Sequence, residues 1–475
     1  MIDSNKEQYF KSKDFKALFD KYEKSVQGEP FYFDPEELTD IAEYYLFYDN
    51  DEKATLIIDR AIRTFPDAID PLLFRSRYAL LRENNVEKAK YYAEKIKDTS
   101  DYEFIYLKAE ILIYENALFE ADEYLHKVLR SLNPQEKADY LYDVANLFID
   151  YEVFDLAKKW INYSDDKTGK DYLETTAHIH LLEQNYSKAE ELYAQLTDRE
   201  PYSTVFWAQL AIAQYLNGKI QEAIQSSEFA LAIDPISEDA LLTKANCLLA
   251  LEKLPEALIF FNRYLQQRPK EGQIEAAVAN IYVRMNAPQK ALEHYNDAIK
   301  HANGNQQLTT DIIRQKALLL MSLGQTEEAF RIIDECISMT GYDATYLYVT
   351  KGNLFMIAGQ IDKSIHQYEK AISISADKPS TYYFIGTTCY DTGAYDIAYD
   401  FLKHITVDLQ DNATDGWGYY AACCAHLRRD TEFLDALRIG CKNNPEEIYF
   451  VFSDILSPNI QPEDLYEFIT NKLTK

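Results

Sequence analysis

Histidine and cysteine are the side chains best suited to holding a metal or carrying out redox chemistry, and this chain has eight and six of them. Their spacing supports neither role. His178 and His180 are two apart, so on a helix they point to different faces, whereas a chelating pair needs spacings of three or four. Cys423 and Cys424 are adjacent and diverge in the same way, and no two cysteines have the two-residue gap of a zinc or redox motif. The sequence has no glycine-rich phosphate loop, nucleophile elbow or zinc-protease helix. The expectation is a chain without catalytic residues, bound metal or cofactor.

Chemistry for recognition is better represented. Asparagine stands at 146, 246, 280 and 353, and tyrosine at 78, 106, 114, 142, 215, 346, 383 and 390. A row formed by Asn146, Asn246, Asn280 and Asn353 offers both donors and acceptors, and could hold the amides of an extended peptide without reading its sequence. Tyr106, Tyr142, Tyr215, Tyr346, Tyr383 and Tyr390 would add contact area at little cost in entropy, with a hydroxyl for hydrogen bonding. Interleaved with them are Glu36, Glu43, Glu103, Glu110, Asp139, Asp150, Asp171, Glu174 and Asp239, and further along Arg284 and Arg314. An acidic stretch followed by two arginines predicts a partner that lays a basic segment first and a neutral or acidic one near the arginines.

These residues fall on one face only if the chain is periodic, and it is. Small residues recur at Ala42, Ala109, Ala145, Ala177, Ala211, Ala245, Ala279, Ala317, Gly352, Gly386 and Ala421. Each is followed twelve residues later by Ala54, Ala121, Ala157, Ala189, Ala223, Ala257, Ala291, Ala329, Ser364, Ala398 or Phe433. The pair Arg77 and Ala89 breaks the first half of the rule. With Ala89 included, the second series steps by 32 to 38 residues, so a unit of about 34 repeats about a dozen times. Two small residues twelve apart suit two short helices crossing too closely for larger side chains. Gly218, Gly324, Gly359 and Gly393 mark the break between the helices, five residues before the second small residue. Pro66, Pro201, Pro235, Pro269 and Pro445 mark the exit twelve residues after it.

The unit with Trp207, Leu210, Ala211, Gly218, Ala223, Ala230 and Pro235 resembles the tetratricopeptide repeat, as does that with Tyr348, Gly352, Phe355, Gly359, Tyr368 and Ala371. The resemblance implies an all-α, right-handed superhelical solenoid of antiparallel helix pairs, with the binding surface on a concave groove lined by first helices. It puts a degenerate half repeat at residues 1–34, about twelve repeats at 35–445, and capping helices at 446–475. In the clamp by which tetratricopeptide cochaperones grip a C-terminal carboxylate, lysines precede the asparagines. Here Tyr142, Leu242, Ala276 and Val349 stand in those places, so a chaperone-tail receptor is disfavoured. Asp391-Thr392-Gly393 has the form of an aspartic-protease triplet, yet Gly393 is one of the in-register turn glycines.

The ends fit this scheme. Phe15, Leu18, Phe19, Tyr22 and Val26 follow helical spacing, and Leu18 precedes Pro30 by the same twelve residues. Ile448, Tyr449, Phe450, Val451, Phe452, Ile455 and Leu456 are apolar nearly all round, which suits a buried cap or, alternatively, a homodimer contact.

The formal charge of −29 disfavours nucleic acid and anionic membranes and favours a basic or neutral polypeptide. No signal-peptide or membrane-length apolar run is present, and cysteines beside packing residues suit a reducing cytoplasm. The sequence thus points to a non-catalytic interaction scaffold or adaptor in a bacterial cytoplasm. The alternatives are a regulatory or targeting subunit of a separate enzyme, as in glycosyltransferases carrying such repeats, and a peptide-sensing regulator.

Overall fold

The structure, a computed structural model, describes residues 6, 9–10, 12–27, 31–48, 50–302, 304–339, 342–408, 414–456 and 460–473. Pro30 and parts of both expected caps lie outside the described residues. The chain divides into two compact units, Met1–Cys247 and Leu248–Lys475.

In the N-terminal unit, α1 (Lys13–Val26) precedes six helix pairs. These are α2 (Pro35–Phe47) with α3 (Asp51–Thr64), α4 (Ile69–Leu81) with α5 (Val86–Ala93), and α6 (Tyr102–Tyr114) with α7 (Leu118–Ser131). They continue as α8 (Pro134–Asp150) with α9 (Phe154–Ile161), α10 (Lys170–Leu182) with α11 (Tyr186–Arg199), and α12 (Thr204–Leu216) with α13 (Ile220–Ile233). The division falls inside α14 (Glu238–Ala250). The C-terminal unit continues with α15 (Leu254–Gln267), then pairs α16 (Gly272–Arg284) with α17 (Pro288–Lys300) and α18 (Gln306–Ser322) with α19 (Thr326–Ser338). There follow α20 (Ala344–Ile357) with α21 (Ile361–Ile374), α22 (Lys378–Asp391) with α23 (Tyr395–Lys403), and α24 (Trp417–His426) with α25 (Asp430–Asn443). α26 (Pro445–Val451) and α27 (Leu465–Leu473) close the chain. Every regular element among the described residues is helical, and the fold is a tetratricopeptide-like solenoid of helix pairs.

The small residues sit where the helices of a pair cross. Ala42, Ala54, Ala109, Ala121, Ala145, Ala157, Ala177, Ala189, Ala211 and Ala223 are all fully buried. In two pairs even alanine is too large. A Cβ on Gly352 would lie 2.3 Å from the Tyr368 ring, and one on Gly386 would lie 2.6 Å from Leu402 Cγ. Both partners are themselves fully buried and cannot step aside.

Eleven of the turns inside pairs share a left-handed residue at one position. The residue five before the second small residue takes a positive φ in eleven pairs: Asn84, Asn116, Glu152, Gln184, Gly218, Glu252, Asn286, Gly324, Gly359, Gly393 and Arg428. The next N–H then bonds back to the carbonyl five residues earlier, as Lys219 does to Gln214 (2.8 Å) and Ala394 to Cys389 (2.9 Å). Glycine marks only four of the eleven positions, so the other turns hold left-handed backbone in residues with a Cβ.

One turn is longer, and it explains the break at Arg77. Asn85 N–H bonds to the Ala79 carbonyl, six residues back, so this turn holds one residue more than the others. The crossing is made by Ser76, fully buried, whose hydroxyl donates to the Ala89 carbonyl (2.7 Å). Arg77 is thereby rotated away from the crossing. At the other irregular pair, Phe433 is buried in a cluster with Ala421, Ala422 and Ala436, and the turn geometry is unchanged.

Of the expected N-terminal cap, α1 buries Phe15 and Tyr22 but leaves Val26 exposed, so the apolar stripe ends one turn early. At the C-terminus Ile448, Phe452, Leu465 and Ile469 are buried, whereas Phe450 is 71% exposed.

Two measurements test this account of the turn and the crossing. Gln184→Gly should stabilise the chain by roughly 0.5–1 kcal/mol in urea titration, and Gly218→Ala, with open space around it, should destabilise it by about as much. Gly352→Ala should cost about 1–3 kcal/mol despite alanine's better helix propensity.

Candidate first-helix recognition face

The asparagines, tyrosines and carboxylates singled out above lie on first helices. The residue after the small one is Asn146, exposed, in α8 and Asn246, half-buried, in α14. In the C-terminal unit it is Asn280 in α16 and Asn353 in α20, both half-buried. Asn280 Oδ1 accepts the Tyr295 hydroxyl, while Asn353 Oδ1 is buried without a hydrogen-bond partner.

In the N-terminal unit the rotation of Arg77 has an electrostatic consequence. Its guanidinium reaches α6, where it contacts Glu103 (2.8 Å) and Glu110 (3.1 Å). Burial opposes the guanidinium's charge, but Glu110 first and then Glu103 more than offset this and raise its pKa. Both carboxylates are therefore partly neutralised. Tyr106 donates to Asp143 (2.8 Å), and the Tyr142 and Ser164 hydroxyls are 3.1 Å apart. Tyr215 is half-buried and Asp139 exposed.

Further carboxylates on these helices carry the negative charge. Although Asp143 and Asp150 are exposed and Glu174 is half-buried, partial desolvation by the surrounding helices raises all three above the usual carboxylate range. The Tyr106 hydroxyl partly relieves Asp143, while Asp139 and Glu103 raise it further. Nearer the N-terminus, Asp40 and Asp70 are raised by burial as well. A cavity of about 380 Å³ opens at the N-terminal ends of α2, α4 and α6, lined by Asp34, Glu36, Asp70, Asp101 and Glu103. No cluster of three or more His, Cys, Asp or Glu among the described residues is arranged to hold a metal ion.

In the C-terminal unit Arg284 is exposed and pairs with Glu252. Arg314 stacks over Tyr346, 5.8 Å from the ring centroid, and Tyr346 lies flat on Phe384 at 4.6 Å. The Arg314 Nε is buried without a hydrogen-bond partner. Tyr383 donates to Glu447 of α26 (3.2 Å), and Tyr390 meets Tyr419 edge-on at 5.3 Å.

With this geometry in place, two segments match tetratricopeptide repeat models: residues 214–281 match "Tetratricopeptide repeat" and residues 352–393 match "TPR repeat". The chain is a helical repeat protein, and these two segments are tetratricopeptide repeats. No curated protein matches it in sequence. Among solved structures it is similar to a tetratricopeptide repeat protein from Parabacteroides merdae, at 19% identity over 53% of this chain and 97% of that one, with a TM-score of 0.41. It is also similar to yeast Tom70, at 12% identity over 92% and 96% of the two chains, with a TM-score of 0.43.

Between successive tetratricopeptide units the structure adds a contact that the sequence reading did not pick out. A cation one residue ahead of the first small residue pairs with an acid five residues after the preceding second small residue. Arg75 meets Asp59 (3.2 Å), Lys244 meets Glu228 (2.8 Å) and Lys351 meets Asp334 (2.5 Å). In α18 the cation is Lys316 and its partner is Asn296 (2.8 Å). The signal was available at a spacing of 16 or 17 residues in the three ion pairs, and it also places Arg75, not Ser76, as the residue ahead of the crossing.

The raised carboxylates give the stability of these repeats a definite sign with pH. An acid whose folded pKa is raised costs stability when ionised, and that cost disappears as pH falls through the folded pKa towards the unfolded value. The melting temperature should therefore rise as pH falls from 7 towards the ordinary carboxylate range, and Glu174→Gln should reduce the rise. Below that range Glu432, held at about 2, and other lowered carboxylates reverse the trend.

Proposed function

We propose that the chain is a non-catalytic scaffold that binds a basic polypeptide segment along the first-helix face of its N-terminal unit. Tetratricopeptide repeats support a role in protein–protein interaction in general. The observation that carries the finer reading is the run of exposed or half-buried carboxylates on two successive first helices, Asp139, Asp143 and Asp150 on α8 and Asp171 and Glu174 on α10. A lysine or arginine side chain brought to such a group would favour its ionised form and be attracted in turn.

Glu103 and Glu110 contribute less than their charge suggests, because Arg77 already answers them. Asp139, Asp143 and Asp171 are the better test. Among the described residues no helix is long and apolar enough to cross a membrane, and the charge of −29 does not suit an anionic surface.

Stopped-flow binding of a lysine-rich polypeptide to the full chain tests this reading. Replacing Asp139, Asp143 and Asp171 by lysine should slow association about tenfold or more at low salt and flatten its salt dependence. The matched reversals Glu123→Lys, Glu191→Lys and Glu222→Lys on second helices should have a smaller effect. Equal effects of the two sets would leave only net charge and would refute a dedicated face.

A further inference from the structure

A cavity of about 280 Å³ opens in the C-terminal unit where α22, α24, α26 and α27 meet. It is slightly smaller than typical small-molecule sites of about 300–1,000 Å³ and is suited to one long side chain. Its walls are Ala422, Ala425, Val451, Phe452, Ile455 and Leu473, and its polar groups are Tyr390, His426 and Asp454.

The aromatic groups are held in place by one another. His426 stacks on Tyr395 at 3.9 Å with the rings 3° from parallel, and Tyr390 meets the edges of Tyr395, Tyr419 and His426. Asp454 is exposed and is the one carboxylate in the lining, and among the described residues no lysine or arginine lines the cavity. The neighbouring Lys472 donates instead to the Ile455 carbonyl (2.6 Å). Burial first, then Tyr395 and Cys423, and last Asp391 and Asp454, push the Tyr390 hydroxyl up to about 12.

We infer that this cavity receives one arginine side chain of the bound polypeptide, its stem against the alanine, valine and isoleucine walls and its guanidinium against the Tyr390 and His426 rings and the Asp454 carboxylate. Arginine suits the site better than lysine because its planar, weakly hydrated head both stacks on aromatic rings and pairs with a carboxylate. The inference rests on the reading of the chain as a binder of basic polypeptides, and it adds a position at which one residue of the partner is read.

The test is a methyl NMR titration of the full chain, labelled at alanine, with the capped pentapeptide Gly-Gly-Arg-Gly-Gly. The Ala422 and Ala425 methyl resonances should shift saturably. Affinity should fall at least fivefold with citrulline or lysine in place of arginine, and at least fivefold in Asp454→Asn and Tyr390→Leu. Because Asp454 is exposed, Asp454→Asn tests the charge without disturbing the core. No shift with the arginine peptide, equal binding of the citrulline or lysine peptide, or unchanged binding by Asp454→Asn would overturn the assignment. The triple reversal of Asp139, Asp143 and Asp171 should leave this short probe unaffected. If the probe failed while that reversal still slowed the lysine-rich polypeptide, the pocket would fall and the first-helix reading would stand.

Discussion

The crossing of two short helices at a pair of small residues is the constraint on which the rest of the structure depends. Alanine at both positions lets the backbones approach until neighbouring side chains interlock, and the left-handed residue in the intervening turn sets the angle and register of that approach. Where a larger side chain arrives, as with Tyr368 and Leu402, the opposing position gives up its Cβ altogether. Where the turn lengthens by one residue, the helix rotates and Ser76 takes the crossing in place of Arg77. Local geometry of this kind lets a chain with 27% charged residues bury its apolar side chains one pair at a time.

Rotation of α4 also shows how packing reaches the recognition face. The guanidinium displaced from the crossing is delivered to Glu103 and Glu110, which quiets the charge there. The negative character of the face is thus shifted towards Asp139, Asp143, Asp150, Asp171 and Glu174 on the next two first helices. Ion pairs between successive repeats, such as Lys244 with Glu228, keep other cations on the seams between helices.

Much of the fold was legible in the sequence because small residues at a helix crossing are dictated by space. The turns were legible only in part. Glycine announces the positive φ at Gly218, Gly324, Gly359 and Gly393, but Glu152, Gln184, Glu252 and Arg428 take the same conformation with nothing in their residue type to show it. The pairing rule failed at Arg77 for a related reason, since a one-residue change in turn length is invisible to a count that assumes a constant turn. On the candidate face, the sequence placed tyrosines and acids on first helices but could not say which were already engaged. Tyr383 is bonded to Glu447 and Arg284 to Glu252, and these partners lie 64 and 32 residues away. The Tyr106 hydrogen bond likewise singles out Asp143, which the spacing rule passed over.

The central claim is that first-helix carboxylates of the N-terminal unit, and not acidic surface in general, meet a basic polypeptide. Carboxylate footprinting measures this most directly, with carbodiimide coupling to glycine ethyl ester and mass spectrometry of the full chain, with and without a lysine-rich polypeptide. The account predicts that Asp139, Asp143, Asp171 and Glu174 lose reactivity on binding while Glu123, Glu191 and Glu222 on second helices keep theirs. Equal protection of both sets, or protection confined to the second helices, would contradict it.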